Sequence, residues 1–377
     1  MLAEPERRAA AAVLDGTVLT HGPRVQEFER SFAEFTAAPY AIATATCAAS
    51  LHLAYLHLDV GPGDEVLVPA QTHVAMAHAV EACRAKPVFV DAEPATGNVD
   101  LDQLEALITP ATRAISVVHY LGLPVDMDRV MEIARARDLF VVEDCAIALG
   151  ARFRDVHVGL HGDIGCFSFY PVKHITTGEG GMVITRHADV AEGVSKQRAF
   201  GIDKSVLADR RHTGAYDIEL LGLNYRLGEI GAAIGVEQMK RLPEFIARRE
   251  HNYELLEEGL SALDEVEVVR SGHAGERHAS HYCLVALLRP PLDGRREELI
   301  ELLKADGVGT SVYYPVPLPD TTYYRETYGY EPGSYPVAAR ISYGSIAFPV
   351  GPHVEEPDVE RMVEAMKRAI AGVGAHA

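Results

Sequence analysis

The sequence predicts an α/β fold: a large domain whose mostly parallel sheet is sandwiched by helices, followed by a smaller C-terminal α+β domain. Short Val- and Ile-rich runs alternate with segments of helical periodicity from residue 41 onward, and this texture changes after residue 240. The chain has 377 residues, 48% hydrophobic and 24% charged, a globular balance too long for one ordinary small domain. The boundary is placed between a large domain, 1–240, and a small one, 241–377.

Taken in order, RRAAAAVL reads as a helix, because alanine has the highest intrinsic helical preference. AIATAT, EVLVPA, PVFVDA, AISVVHY and LFVVEDC read as buried strands, since they are brief, apolar and bounded by Gly, Asp or Pro. Between them ASLHLAYLHL, HVAMAHAVEACRA, LDQLEALI and MDRVMEIARARD have the apolar spacing of helices packed on one side. GPGDEV is a turn into a strand. KRLPEFIARREHNYELLEEGLSAL, 240–263, is expected as one long helix linking the domains. HYCLVALLRPP, REELIELLKADGVGTSVYYPV and VEEPDVERMVEAMKRAIAGV then give a strand, helix, strand and helix set.

Charge and cysteine usage exclude several classes. A net charge of -19 disfavours a nucleic-acid partner, which needs a basic face to displace counterions, and any anionic substrate must be held by a local patch. Five cysteines without C-x-x-C spacing indicate neither a disulfide framework nor a zinc site. The N-terminal residues lack a signal-peptide apolar stretch and no apolar run is of membrane-spanning length, so a cytoplasmic protein is expected.

The chemistry centres on FSFYPVKHITTGEGGMVIT, 167–185, where one lysine, Lys173, follows an aromatic run. Most lysines are solvated; one held beside the interior loses water, its pKa falls, and its neutral amine can attack an aldehyde to form a Schiff base. Asp144 ends the apolar run LFVVED. It is either a helix cap or an acid that protonates a pyridine nitrogen and so turns pyridoxal phosphate into an electron sink.

Several long stretches in one order make the chain similar to the DegT/DnrJ sugar-nucleotide aminotransferases, fold type I pyridoxal-phosphate enzymes, over essentially its whole length. They are LTHGPRVQEFE, LHLAYLHLDVGPGDEVLVPAQTHVAMAHAV, HYLGLPVDMD, VVEDC, CFSFYPVKHITTGEGGMV, GLNYRLGEIGAAIG and GVGTSVYYPVP. The resemblance implies that Lys173 carries pyridoxal 5'-phosphate as an internal aldimine and shuttles the proton, with pyridoxamine 5'-phosphate as the intermediate form. It implies that Asp144 pairs with the pyridine nitrogen, that Ser168 binds the phosphate and that the His73 ring stacks on the cofactor. Asn224 would reach the phosphate from a neighbouring subunit, which implies a homodimer with shared active sites.

The segment TATCAASLHL offers backbone N–H groups of Cys47 and Ala48 at a helix N-terminus, where an anion is favoured. The family usually has threonine in place of Ala48, so that contact is main-chain unless Thr46 substitutes. Ile147 stands where the family places Gln or His against the cofactor's phenolic oxygen, and Leu149 replaces a common histidine. A dehydratase branch carries histidine in place of Lys173, so the lysine favours amino transfer, and His174 reads as a structural residue beside the site. The implied reaction moves nitrogen from an amino acid, L-glutamate, to the 4-keto carbon of a nucleotide-linked 6-deoxyhexose by ping-pong transamination. A 3-keto sugar or a cyclitol ketone is the alternative acceptor, and a non-catalytic cofactor-binding regulator the alternative class. His119, Tyr120, Tyr313 and Tyr314 either line the sugar pocket or pack as aromatics between the domains.

Overall fold

The computed structural model describes residues 2–202 and 217–374. Its large sheet contains β1 (Tyr40–Thr44), β2 (Glu65–Pro69), β3 (Lys86–Val90), β4 (Thr112–Val118), β5 (Phe140–Asp144), β8 (Ile164–Ser168) and β9 (Gly181–Thr185). The two short strands β6 (Arg152–Phe153) and β7 (Val156–His157) pair in a hairpin outside it, and β11 (Arg277–His278) joins them. The strand order is β1-β9-β8-β5-β4-β2-β3, parallel from β8 through β3, while β9 runs antiparallel to both its neighbours. The central strands are apolar throughout because helices cover both faces and leave no polar side: Val141, Val142, Val117 and Ile115 are all fully buried.

The helices appear where periodicity places them, at Glu4–Leu14, Cys47–His57, Val74–Ala82, Leu101–Ala106 and Met127–Arg137. Helix Pro23–Thr36, which the pattern did not separate, starts with Pro in the first turn after Gly22. Its free N–H groups are satisfied at long range: the buried Glu229 carboxylate accepts from Gly22 N at 3.0 Å, Arg24 N at 2.9 Å and Val25 N at 3.1 Å.

Two expectations differ from the structure. The linking helix begins at Glu229, not near 240, and runs to Ser261 with Pro243 inside it. Its first half packs on the large domain through Ala232, Val236 and Leu242, and its second half enters a separate core through Tyr253, Leu256 and Leu260. In the small domain β10 (Val266–Val268), β12 (Cys283–Leu288) and β13 (Ser345–Pro349) form an antiparallel sheet, β10-β12-β13. The third strand is therefore SIAFP, and the stretch after helix Arg296–Ala305 is irregular. Only Ser311 bridges to Ala347 there, and the Tyr313 carbonyl accepts from the Gln71 amide at 3.0 Å and from the Tyr120 hydroxyl rather than from a strand. Among the described residues no helix is long and apolar enough to cross a membrane.

Candidate active site

Adjacent parallel strands end side by side, so their last residues meet at one edge. Val118 and Asp144, the final residues of β4 and β5, are register partners, and Ser168 closes β8 next to them. Loops and helix N-termini open beyond that edge, the usual place for a ligand in an open α/β sheet. A cavity of about 320 Å³ lies there, lined by Cys47, Ala48, His73, Asp144, Ser168 and Lys173.

The cup for an anion comes from helix Cys47–His57. Thr46 is its N-cap, and its hydroxyl accepts from Ala49 N at 3.0 Å while keeping its own O–H on the cavity lining. Cys47 and Ala48, the first two residues of the helix, line the cavity, and their N–H groups have no partner within the helix. Close packing from β9 fixes this corner. A Cβ at Gly181 would stand 2.5 Å from the Thr46 carbonyl oxygen, so only glycine lets the strand approach.

Asp144 is 3% exposed, and burial raises its pKa. One oxygen accepts from Ala146 N at 2.9 Å, while Lys173, His73 and His119 pull the value back down. Lys173 is half-buried, and its Nζ lies 5.3 Å from the centre of the Tyr282 ring. Burial depresses its pKa against the pull of Asp144, which favours a nucleophilic neutral amine. His73 caps helix Val74–Ala82, Nδ1 accepting from Ala75 N at 3.2 Å, and its ring meets Tyr314 edge-on at 6.1 Å. Ile147 is buried in the wall and offers no polar atom.

The structure separates the remaining candidates. Tyr314 lines the cavity and Tyr313 a larger one beside it. Tyr120 is fully buried and lines neither: its hydroxyl donates to the Tyr313 carbonyl and accepts from Gln71, so it braces the Tyr313–Tyr314 segment. His119 requires a correction. It is 0% exposed, its Nε2 donates to Glu143 at 2.9 Å and its Nδ1 accepts from Val125 N at 3.1 Å. Both ring nitrogens are occupied in the core, so it is no pocket residue. Asn224 is exposed, bridges to Ala199, and does not line the cavity of its own chain.

Sequence reasoning missed Tyr170 and Glu179, which line the same cavity from within the lysine-bearing stretch. It also missed Arg249 in the neighbouring cavity. Proximity to Lys173 was a usable signal for the first two. An arginine inside the charged run ARREHN gives none, because outward and inward arginines look alike in sequence.

These residues suit pyridoxal phosphate: a half-buried amine, a buried carboxylate with one backbone donor, a helix N-terminus for a phosphate, and a volume of about 320 Å³. The chain is 35% identical to the GDP-perosamine synthase of Caulobacter vibrioides over 367 residues, 97% of this chain and 95% of that protein. It resembles the crystal structure of S. venezuelae DesV in complex with a ketimine intermediate, with a TM-score of 0.88 and 32% identity, covering 97% of this chain and 94% of that one. It also resembles the Streptococcus pneumoniae protein Spr1654 in its PMP form, with a TM-score of 0.93 and 27% identity, covering 99% and 98%. Residues 1–367 match one family description throughout, and the chain belongs to the DegT/DnrJ/EryC1/StrS aminotransferase family.

Proposed function

We propose that this aminotransferase moves an amino group from L-glutamate to the keto carbon of a nucleotide-linked 4-keto-6-deoxyhexose, in two half-reactions that share one site. The observation that carries the reading is the meeting of Lys173, Asp144 and the helix N-terminus at Cys47 and Ala48 on one cavity. The sugar acceptor is supported by the name of the Caulobacter relative.

Lys173, Asp144, Ser168, His73 and the Cys47 and Ala48 N–H groups would hold pyridoxal phosphate, which when bound supplies an electron sink. Asp144 offers a poorly solvated negative charge that a protonated ring nitrogen would neutralise. Lys173 Nζ, whose pKa burial lowers, takes a proton from the donor's α-carbon and returns one to the acceptor carbon. Ile147, Val118 and Leu51 give the cavity an apolar wall that keeps water out. With Ser168 given to the phosphate, the tyrosine hydroxyls on the cavity, those of Tyr170 and Tyr314, supply the hydrogen bond that Ile147 lacks. Asn224 is exposed and does not line the cavity of its own chain; its role here is to reach the phosphate in a second copy, as a homodimer with shared sites requires.

The test loads the protein with the amino form of the cofactor and screens nucleotide-linked 4-keto and 3-keto sugars and a cyclitol ketone for single-turnover recovery of the starting absorption band. Recovery with the 4-keto sugar, after glutamate has generated the amino form, is expected. Recovery only with another acceptor, or with none, would overturn the assignment.

A further inference from the structure

Lys173 faces two cavities. Beyond the one described lies a larger space of about 540 Å³, lined by Lys173, His174, Arg249, Tyr282, Tyr313 and His353, among others. Its most unusual member is Arg249, which projects from the middle of the long helix Glu229–Ser261 and is 6% exposed. Nη1 donates to the carbonyls of Tyr282 at 2.9 Å and His281 at 3.4 Å, while Nε has no partner.

A buried guanidinium normally carries a carboxylate with it, because the loss of hydration is otherwise uncompensated. Here burial lowers the arginine's pKa, and the groups that oppose that are Tyr282, Cys283 and Tyr313, with no carboxylate among them. Cys283 lines the same cavity as Arg249 and Lys173, and both basic groups act on its thiol. A second polar group at the same cavity is also incomplete. His174 is 3% exposed, its Nε2 donates to the Ser280 carbonyl at 3.0 Å, and its Nδ1, left as an acceptor, has no partner. A chain of net charge -19 thus keeps an unneutralised cation inside a cavity next to its reactive amine.

We propose that Arg249 is the anchor for a substrate oxyanion in this second cavity. The inference rests on the two-substrate reading above. Within that reading the oxyanion is either the carboxylate of the amino-acid donor or a phosphate of the nucleotide-linked sugar. Both match a planar guanidinium.

The experiment measures each half-reaction separately in the cofactor-loaded wild type, R249Q and R249K. Loss of one charge-assisted contact raises the KM of one substrate by about 10- to 100-fold, with the other KM and both rate constants little changed. A rise for glutamate alone assigns the carboxylate, and a rise for the nucleotide-linked sugar alone assigns the phosphate. R249K, which keeps charge without the fork, recovers part of the loss and carries the comparison if R249Q does not fold. Equal changes for both substrates, or none for either, would overturn the proposal. Calorimetric binding of glutarate and of inorganic pyrophosphate to the loaded enzyme reads the same site without turnover. Binding of at least one that is lost in R249Q and weakened in R249K supports the anchor even if the assigned acceptor is wrong, and the absence of both overturns it.

Discussion

Glu143 and Asp144 are consecutive residues of β5, both buried, and their side chains leave opposite faces of the strand into opposite circumstances. Glu143 is saturated. Its oxygens accept from His119 Nε2 at 2.9 Å, Gly159 N at 2.7 Å, His161 N at 2.8 Å and Gly162 N at 2.6 Å. These bonds outweigh burial and hold its pKa down at about 2. Asp144 accepts one backbone bond, and burial wins, so its pKa rises. A buried acid with every lone pair taken ties the chain together; one left short of donors awaits a partner. Glu143 pins the turn at 159–162, and Asp144 faces the cavity.

Asp144→Asn gives the largest effect that the contrast predicts: amino transfer falls by about 10²- to 10³-fold, as for other lost electrostatic stabilisers, measured in single-turnover half-reactions. If activity survived, the two acids would not be functionally distinct. Glu143→Gln destabilises the fold by about 2–4 kcal/mol in denaturant titration, because the new amide turns N–H against N–H donors. Asp144→Asn in the cofactor-free protein should cost nothing or stabilise slightly, the opposite sign.

The pH dependence separates them further. For Glu143, a folded pKa of about 2 against an ordinary 4.5 means stabilisation that is present above 4.5 and lost as pH falls toward 2. For Asp144 the raised pKa means a cost that is present above its native value and gone below the unfolded 3.8. Glu143→Gln should therefore flatten the acid limb of the cofactor-free protein's stability curve, whereas Asp144→Asn should leave that limb in place. The smallest effect belongs to His119→Gln, about 1–2 kcal/mol of stability with an unchanged KM for the sugar, since the ring contacts Glu143 and Val125 and no cavity.

Much of this was legible in the sequence, for physical reasons that also mark where legibility stops. Short Val-rich runs bounded by turn residues gave the parallel strands, since a strand covered on both faces has no polar side to blur the pattern. Lys173 and Asp144 stood out by their apolar settings. His119 did not betray its role, because a histidine paired with a buried glutamate 24 residues away looks the same in sequence as one facing a ligand. The GVGTSVYYPV stretch reads as a strand, but side chains of Gln71 and Tyr120 claim the Tyr313 carbonyl, a tertiary event that local pattern cannot register. The long helix starts at Glu229, ahead of the expected 240, in a stretch where Gly231 and Gly235 lower the local helical preference and blur the start.

The central claim is that Lys173 is the amine joined to the cofactor. Borohydride reduction of the cofactor-loaded protein, followed by proteolysis and mass mapping, should place a pyridoxyl label on Lys173 alone. A label on another lysine, or none anywhere, would contradict it.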